Sequence, residues 1–204
     1  MKGTFITFEG GEGVGKTTQM KKAAALLMSE GYTVLTTREP GGTPLAEEIR
    51  EILLRPAGES GLHAKTELFL YLAARAQHYY EKILPALEAG EIVLCDRFMD
   101  ATAAYQGVAR GLGLETVEEM NRWILDGREP DGTILLYTDI HAGLQRENAV
   151  NRLSRESADF HSRVLDGYLD LARRHPRRIT ALDVTGRSID DVSLLVMESI
   201  RAWL

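Results

Sequence analysis

A glycine-rich segment near the N-terminus, GGEGVGKT at residues 10–17, has the composition of a phosphate-binding loop. The segment fits the pattern G-x-x-x-x-G-K-[ST], in which glycines let the backbone curl so that its N–H groups point at a phosphate. Lys16 would bring a positive charge to the outer phosphates, and Thr17 would offer its hydroxyl to Mg²⁺. An apolar, strand-like run precedes the segment and a helical pattern follows it, as such a loop requires. We therefore predict a nucleoside triphosphate site, rather than a glycine-rich turn that binds nothing. The predicted triphosphate-binding residues are Gly10, Gly11, Glu12, Gly13, Val14, Gly15, Lys16 and Thr17.

A second candidate for phosphate chemistry is the segment CDRF, residues 95–98, at the end of another apolar run. Asp96, at the carboxyl end of a strand beside the phosphate loop, would hold Mg²⁺ directly or through water. Arg97 could then reach phosphate oxygens with its planar guanidinium. The alternative is an ordinary surface ion pair, which the neighbouring phosphate loop disfavours.

Predicted strands and helices alternate along the chain and carry both segments. Continuous apolar runs predict five strands, at residues 4–10, 32–39, 91–97, 132–139 and 178–184, and helical patterns fill the gaps between them. One long helix is predicted over residues 65–90. Apolar strands separated by helices indicate a five-stranded parallel sheet with helices on both faces, an α/β fold of the P-loop NTPase kind. In such sheets ligands bind beyond the carboxyl ends of the strands, so we expect the candidate residues to share one rim.

Composition narrows the class of protein. The chain has 204 residues, 44% of them hydrophobic, and a net charge of −6, which suits a single domain over residues 1–204. Nucleic acids and anionic membranes need clustered positive charge, so neither is an expected partner. The one basic cluster, residues 173–178, is interpreted as a solvated helix end. No stretch approaches the roughly 18 apolar residues that span a bilayer. We expect a cytoplasmic protein.

The features around the phosphate loop also narrow the reaction. A GTPase switch would need a guanine-reading N/T-K-x-D element after a late strand, and the late strand here runs into YTDIHAG instead. A motor or transporter ATPase normally belongs to a longer chain. These observations favour a small phosphotransferase.

Four motifs, taken together, resemble those of the bacterial thymidylate kinases. They are the phosphate loop, TREPGGTPLAEEIR (residues 37–50), LFLYLAARAQH (residues 68–78) and DRFMDATAAYQGVARGLG (residues 96–113). The motifs occur in the family's order, and the resemblance covers essentially the whole chain. It implies a homodimer that transfers the γ-phosphoryl group of ATP to dTMP, with Mg²⁺, giving dTDP and ADP.

The resemblance implies roles at the acceptor nucleotide. Glu12 would accept a hydrogen bond from the sugar 3′-hydroxyl, and Glu39 would orient the sugar or a metal-bound water. Arg50 and Arg97 would clamp the acceptor phosphate, which makes physical sense because a dianion must be brought against another polyanion.

The resemblance also implies how the base is read. Tyr71 stands where the family has Phe, and it would supply the stacking face. Arg75 would donate to O4 of thymine and so reject cytosine, whose N4 carries donors. Thr102 and Gln106 match positions that bond the pyrimidine edge, and Tyr105 would stand close to the 2′ carbon and exclude a ribose hydroxyl.

Phosphoryl transfer also requires positive charge beside the transferring group. Some thymidylate kinases carry that arginine in the phosphate loop, but Gly13 occupies the position here. Bacterial relatives supply it from a lid, which matches approximately residues 143–158. Arg152 best fits the lid motif and Arg146 is the second choice, although the segment is shorter than usual. The predicted catalytic residues are thus Lys16, Arg97 and Arg152, with Arg146 as the alternative.

Two other functions stay open from the sequence. One is a nucleoside or nucleotide kinase with a different acceptor, such as dUMP or a deoxynucleoside, although a neutral acceptor would not need two phosphate-binding arginines. The other is a nucleotide-binding regulator without turnover, which only the altered lid favours.

Overall fold

The computed structural model describes residues 3–55, 61–140, 143, 152–153 and 156–204. Within them, the five predicted strands are confirmed. They are β1 (Thr4–Glu9), β2 (Val34–Arg38), β3 (Ile92–Asp96), β4 (Gly132–Tyr137) and β5 (Ile179–Asp183). All are parallel, and their order across the sheet is β2-β3-β1-β4-β5.

The helices fill the intervals between the strands. Their bounds are α1 (Lys16–Ser29), α2 (Pro44–Leu54), α3 (Ala64–His78), α4 (Leu84–Glu88), α5 (Met99–Thr102), α6 (Leu114–Ile124), α7 (Ala158–Arg174) and α8 (Ile189–Arg201). The predicted long helix runs from α3 to α4 through a π-helical segment, Tyr79–Ile83, and α5 continues into a second π-helical segment, Ala103–Ala109.

Local signals set several helix ends. Pro44 is the first residue of α2, and the Thr43 side chain before it accepts a hydrogen bond from the backbone N–H of Ala46 at 3.4 Å. Ser188 caps α8 in the same way, accepting from the N–H of Asp191 at 3.1 Å. Polar caps of this kind satisfy backbone donors that have no partner inside the helix.

Apolar residues on both faces of the sheet explain why the strands are continuous hydrophobic runs. Ile6 and Phe8 of β1 pack with α1 and α8 on one face, whereas Phe5 packs on the other with Val93 and the segment around α4. A third cluster joins α3, the second π-helical segment and α7 over β4 and β5. Helices thus cover both faces, as the sequence predicted.

The carboxyl ends of the three neighbouring strands β2, β3 and β1 lie side by side. Asp96 at the end of β3 is in register with Phe8 of β1 and with Arg38 of β2. The phosphate loop follows β1 immediately, so the sheet itself places this loop beside Asp96.

The interpretation of residues 173–178 as a solvated helix end is wrong for Arg178. Its side chain is only 9% exposed, and its guanidinium donates to both carboxylate oxygens of Asp100 at 2.6 and 2.8 Å. Thr133 of β4 accepts a further bond at 3.1 Å. This arginine turns inward because a buried carboxylate, 78 residues away in sequence, needs a charged partner.

Candidate active site

A cavity of about 500 Å³ opens at the rim where β1, β2 and β3 end. The phosphate loop forms one side, and α2, α3 and residues 96–106 form the other. Every residue that the sequence suggested for the acceptor nucleotide lines this cavity, namely Glu12, Glu39, Arg50, Tyr71, Arg75, Arg97, Thr102, Tyr105 and Gln106. The structure therefore brings residues from five separate segments to one concave surface.

The phosphate loop has the backbone that its glycines predict. Gly10 has φ +136°, and a Cβ there would lie 2.0 Å from the backbone oxygen of Leu136, so only glycine fits. Gly15 has φ +92° and leads directly into α1. The N-terminus of α1 thus points its partial positive charge into the loop.

Lys16 is the cation of this loop, and its side chain is nearly enclosed. Its Nζ donates to the backbone oxygen of Gly11 at 2.6 Å, and the residue is 8% exposed. Burial, and then the positive charge of Arg97, lowers the pKa of Lys16 to about 8. A phosphate placed beside this ammonium would reverse that effect.

Thr17 and Asp96 contact each other at the end of the phosphate loop. The Thr17 hydroxyl donates to Oδ2 of Asp96 at 2.5 Å. Mg²⁺ takes oxygen ligands and is usually held by one or two carboxylates together with substrate phosphates. Among the described residues there is no group of three or more His, Cys, Asp or Glu side chains that could cage a metal. The donor set at Thr17 and Asp96 fits a Mg²⁺ that takes its other ligands from phosphates and water.

Arg97 is held over the loop in an unusual backbone conformation. It has φ +67°, which a residue other than glycine rarely adopts, and its N–H donates to the Phe8 oxygen at 2.9 Å. Its guanidinium donates to the Gly10 oxygen at 2.9 Å and to Oε1 of Glu12 at 3.0 Å. Strained conformations persist where surrounding bonds over-determine them, and they cluster at functional sites.

Glu9 helps to fix the backbone conformation of Arg97, because it holds the residues that follow. It accepts hydrogen bonds from the N–H groups of Phe98 and Ala101, at 2.7 and 3.3 Å, and from the Tyr168 hydroxyl at 2.9 Å. The carboxyl is fully buried, and this burial, followed by the nearby charge of Asp100, raises the pKa of Glu9 to about 8.

Two further arginines converge on the opposite wall. Arg38 and Arg50 each donate to the backbone oxygen of Pro40 at 2.8 Å, and both line the cavity. Burial, and then the charge of Arg38, lowers the pKa of Arg50. Arg38 also pairs with Oε2 of Glu47 at 2.9 Å, so Arg50 is the better placed of the two to bind an anion in the cavity.

The far end of the cavity carries groups suited to a base. Arg75 is 1% exposed, and its Nε and Nη2 donate to Glu39 and to the Phe98 oxygen. Its Nη1 donates one hydrogen bond, to Oδ1 of Asn121. Because Nη1 carries two N–H donors, one of them has no partner among the described residues. The Thr102 hydroxyl is buried and has no hydrogen-bond partner in the described part of the chain. Buried polar groups are nearly always satisfied, so Thr102 points to a ligand atom.

Glu39 holds Arg75 rather than standing free in the cavity. Its Oε2 pairs with Arg75 at 2.8 Å and its Oε1 with Nδ1 of His78 at 3.0 Å. Its contribution to the cavity in this structure is to orient that guanidinium.

Arg152 is the described candidate for the catalytic arginine, and it lies beside the cavity rather than in its lining. Its Nη1 pairs with Oε2 of Glu67 at 2.6 Å, and its Nε donates to the Leu53 oxygen at 3.1 Å. The next residue, Leu153, does line the cavity. Arg146 lies outside the described residues.

With this geometry in place, comparison with known proteins identifies the family. A family model described as Thymidylate kinase matches residues 8–195. The chain belongs to the thymidylate kinase family. It is 50% identical over 197 residues to a thymidylate kinase of Syntrophotalea carbinolica, with 92% of this chain and 90% of the relative covered. It is 45% identical over 205 residues to one of Geobacillus sp. (strain WCH70), covering 98% and 97%. The crystal structure of a thymidylate kinase from Ehrlichia chaffeensis superposes with a TM-score of 0.80 at 35% identity, covering 98% of this chain and 99% of that one.

The family resemblance drawn from the sequence is therefore confirmed, but the sequence analysis missed Arg38, which lines the cavity, and Glu9, Glu67 and Tyr168, which contact lining residues. Arg38 stands at the end of a predicted strand next to Glu39, and this position was a usable signal. Glu9 ends an apolar run at the phosphate loop and could have been found in the same way. Glu67 and Tyr168 carry no such signal, because each reaches the site only through contacts with distant segments.

No helix in the described part of the chain has both the length and the apolar composition that a membrane span requires.

Proposed function

We propose that this enzyme transfers the γ-phosphoryl group of ATP to the 5′-phosphate of dTMP, giving dTDP and ADP. One observation supports the proposal beyond family membership: a single cavity is lined both by the phosphate loop and by Thr102, whose buried hydroxyl has no hydrogen-bond partner among the described residues. Arg50 and Arg97, which would hold the acceptor phosphate, line the same cavity.

The chemistry that we propose is positioning and charge neutralisation. The loop N–H groups and Lys16 would hold the β- and γ-phosphates, while Arg50 and Arg97 would hold the acceptor phosphate in line. When bound by Thr17 and Asp96, Mg²⁺ would neutralise charge on the donor phosphates. No side-chain nucleophile is required, because the acceptor phosphate oxygen attacks directly.

We propose that the base is recognised by the far end of the cavity. The ring of Tyr71 offers a stacking face, and the free N–H of Arg75 is a donor for O4 of thymine. Thr102 and Gln106 would bond the N3 edge. Tyr105, whose hydroxyl contacts Oε1 of Glu12 at 3.3 Å, would crowd the 2′ carbon and disfavour a ribonucleotide.

The positive charge at the transferring group is the remaining part of the mechanism. We propose Arg152 for this role, with Arg146 as the second candidate, because Gly13 gives the phosphate loop no side chain at that point. One observation supports Arg152: its Nη2 is buried without a hydrogen-bond partner among the described residues, so the guanidinium is not fully committed to Glu67.

A coupled ADP-release assay tests the function. We expect turnover with dTMP, slower turnover with dUMP, and little with dCMP or thymidine. Faster turnover with thymidine than with dTMP would instead identify a nucleoside kinase. Binding of ATP and dTMP without ADP release under any condition would identify a regulator without turnover.

We also propose that residues 1–204 act as one domain, in the cytoplasm where ATP is supplied, and that two copies form a homodimer. Support for the dimer comes from two large apolar side chains on helices that pack against each other. Phe69 on α3 is 59% exposed and Trp123 on α6 is 83% exposed. Light scattering should give twice the chain mass, and Trp123→Asp should shift the protein towards monomers. A wild-type mass of a single chain would refute the dimer.

A further inference from the structure

Glu67 lies behind the base end of the cavity and outside its lining. It is fully buried, and its carboxylate accepts a hydrogen bond from Nε2 of Gln106 at 2.6 Å. Arg152 pairs with the same carboxylate at 2.6 Å and Arg110 at 3.3 Å. Two guanidinium groups thus compensate the negative charge, as a buried carboxylate requires.

This contact dictates which end of the Gln106 amide faces a ligand. A carboxylate only accepts hydrogen bonds, so Gln106 must turn its NH₂ group towards Glu67 whatever the shape of the surrounding site. Gln106 is 1% exposed and lines the cavity. Its Oε1 is therefore the end available to a base, and the site presents an acceptor there.

An acceptor at this point separates pyrimidines by their hydrogen-bond pattern. Thymine carries a donor at N3 and an acceptor at O4, and these match Oε1 of Gln106 and the free N–H of Arg75. Cytosine carries an acceptor at N3 and donors at N4, so it meets the reverse pattern at both positions. Rejection by unmatched polar groups is stronger than rejection by shape.

We propose that Glu67 is a positioning residue that sets pyrimidine specificity by fixing the orientation of the Gln106 amide. The inference rests on the proposed function, since it assigns Glu67 a role in choosing the acceptor of that reaction. Without a carboxylate at position 67, the amide of Gln106 is free to turn and to present Nε2 to N3 of cytosine.

The test compares kcat/KM for dTMP and dCMP in the wild type and in Glu67→Gln. Glutamine can accept or donate, so the constraint on Gln106 is lost while the shape is kept. We expect the dTMP-to-dCMP ratio of kcat/KM to fall about ten-fold, the value of one correctly oriented hydrogen bond. Glu67 also holds Arg152, and any loss through that contact, or through a general structural defect, lowers both values together and cancels in the ratio. An unchanged ratio would overturn the proposal.

Two further variants provide a second test and a control. Glu67→Asp keeps the charge that the arginines need but withdraws the acceptor by one methylene, so it should also relax specificity, and it decides the question if Glu67→Gln does not fold. Glu156→Gln is the matched control, because Glu156 pairs with Arg110 at 2.6 Å and does not contact Gln106. We expect it to leave the dTMP-to-dCMP ratio at the wild-type value, and a ratio relaxed as far as in Glu67→Gln would overturn the proposal.

A double-mutant cycle shows whether Glu67 acts through Gln106. In a Gln106→Met background, the Glu67→Gln change should leave the dTMP-to-dCMP ratio unaltered, because no amide remains to be oriented. Independent, additive effects would overturn the proposal. If the wild type itself does not phosphorylate dTMP, the proposed function fails, which is a distinct result from an unaltered ratio in an active enzyme.

Discussion

We predict that the buried ammonium of Lys16 makes the binding of ATP depend on pH. Burial is the main cause that lowers its pKa from 10.5 to about 8, and the charge of Arg97 adds to it, against smaller opposing effects of Asp96 and Glu12. Lys16 is therefore charged below pH 8 and loses its charge as the pH rises through that value. Only the charged form attracts the outer phosphates of ATP.

The expected change in kcat/KM for ATP follows from this pKa. About nine-tenths of the Lys16 side chains carry a charge at pH 7, about one-tenth at pH 9 and about one-hundredth at pH 10. Because kcat/KM reports on the free enzyme, its value for ATP should fall about ten-fold per pH unit above pH 8. In the ATP complex the phosphates stabilise the ammonium, so kcat should begin to fall only at a higher pH.

The assay is ADP release at a fixed dTMP concentration well below saturation, with ATP varied between pH 6 and pH 10, so that kcat/KM for ATP reports on the nucleotide-free enzyme. Glu9 complicates this range, because its pKa is also raised to about 8, by burial and then by Asp100. Glu9→Gln removes that titration and should keep the alkaline decline. Lys16→Arg keeps a permanent charge, so its residual rate should lack the decline. A flat wild-type profile, or a decline that disappears in Glu9→Gln, would refute the reasoning.

The remaining predictions concern the other charged groups. Lys16→Ala should lower kcat at least about 10²-fold while calorimetry still detects dTMP binding; unchanged turnover would contradict the donor site. Asp96→Asn should raise the Mg²⁺ concentration for half-maximal rate by about ten-fold, and a Thr17→Val variant should do likewise, whereas equal Mg²⁺ curves would remove both from the metal site. Arg152→Ala should lower kcat by about 10³-fold with little change in KM for dTMP; if Arg146→Ala does so instead, the catalytic arginine is Arg146.

What could be predicted from the sequence is what local chemistry determines. The backbone at Gly10 and Gly15 follows from the loop pattern, and the cap at Ser188 from residues three positions apart. The strands were predicted because burial on both faces makes each a continuous apolar run. The shared rim then followed from the parallel topology, which brings Asp96 to the phosphate loop without any further information.

The contacts that could not be predicted join segments far apart in the chain. Nothing near Arg178 indicates that Asp100 needs it, and nothing near Glu67 indicates that Gln106 and Arg152 reach the same carboxylate. Such pairs depend on the packing of helices whose relative position is a property of the whole fold. A sequence pattern reports on neighbours along one element, so it identifies residues of the site without their partners.

The partners found in the structure bear on how strongly the site can bind nucleotides. Each cation that we propose for phosphate binding already has a protein oxygen as partner. Lys16 has the Gly11 carbonyl at 2.6 Å, Arg50 the Pro40 carbonyl at 2.8 Å, and Arg97 the Glu12 carboxylate at 3.0 Å. Lysine and arginine have further N–H donors, but wherever a phosphate takes over one of these bonds, the exchange yields only the difference between two hydrogen bonds, on the order of 1 kcal/mol. In return, the side chains are already ordered and lose little of the roughly 2 kcal/mol of rotamer entropy that a free lysine or arginine would lose. Charges that are ordered before the substrates arrive need no rearrangement during the reaction, so we expect them to stabilise most strongly the charge that develops during transfer.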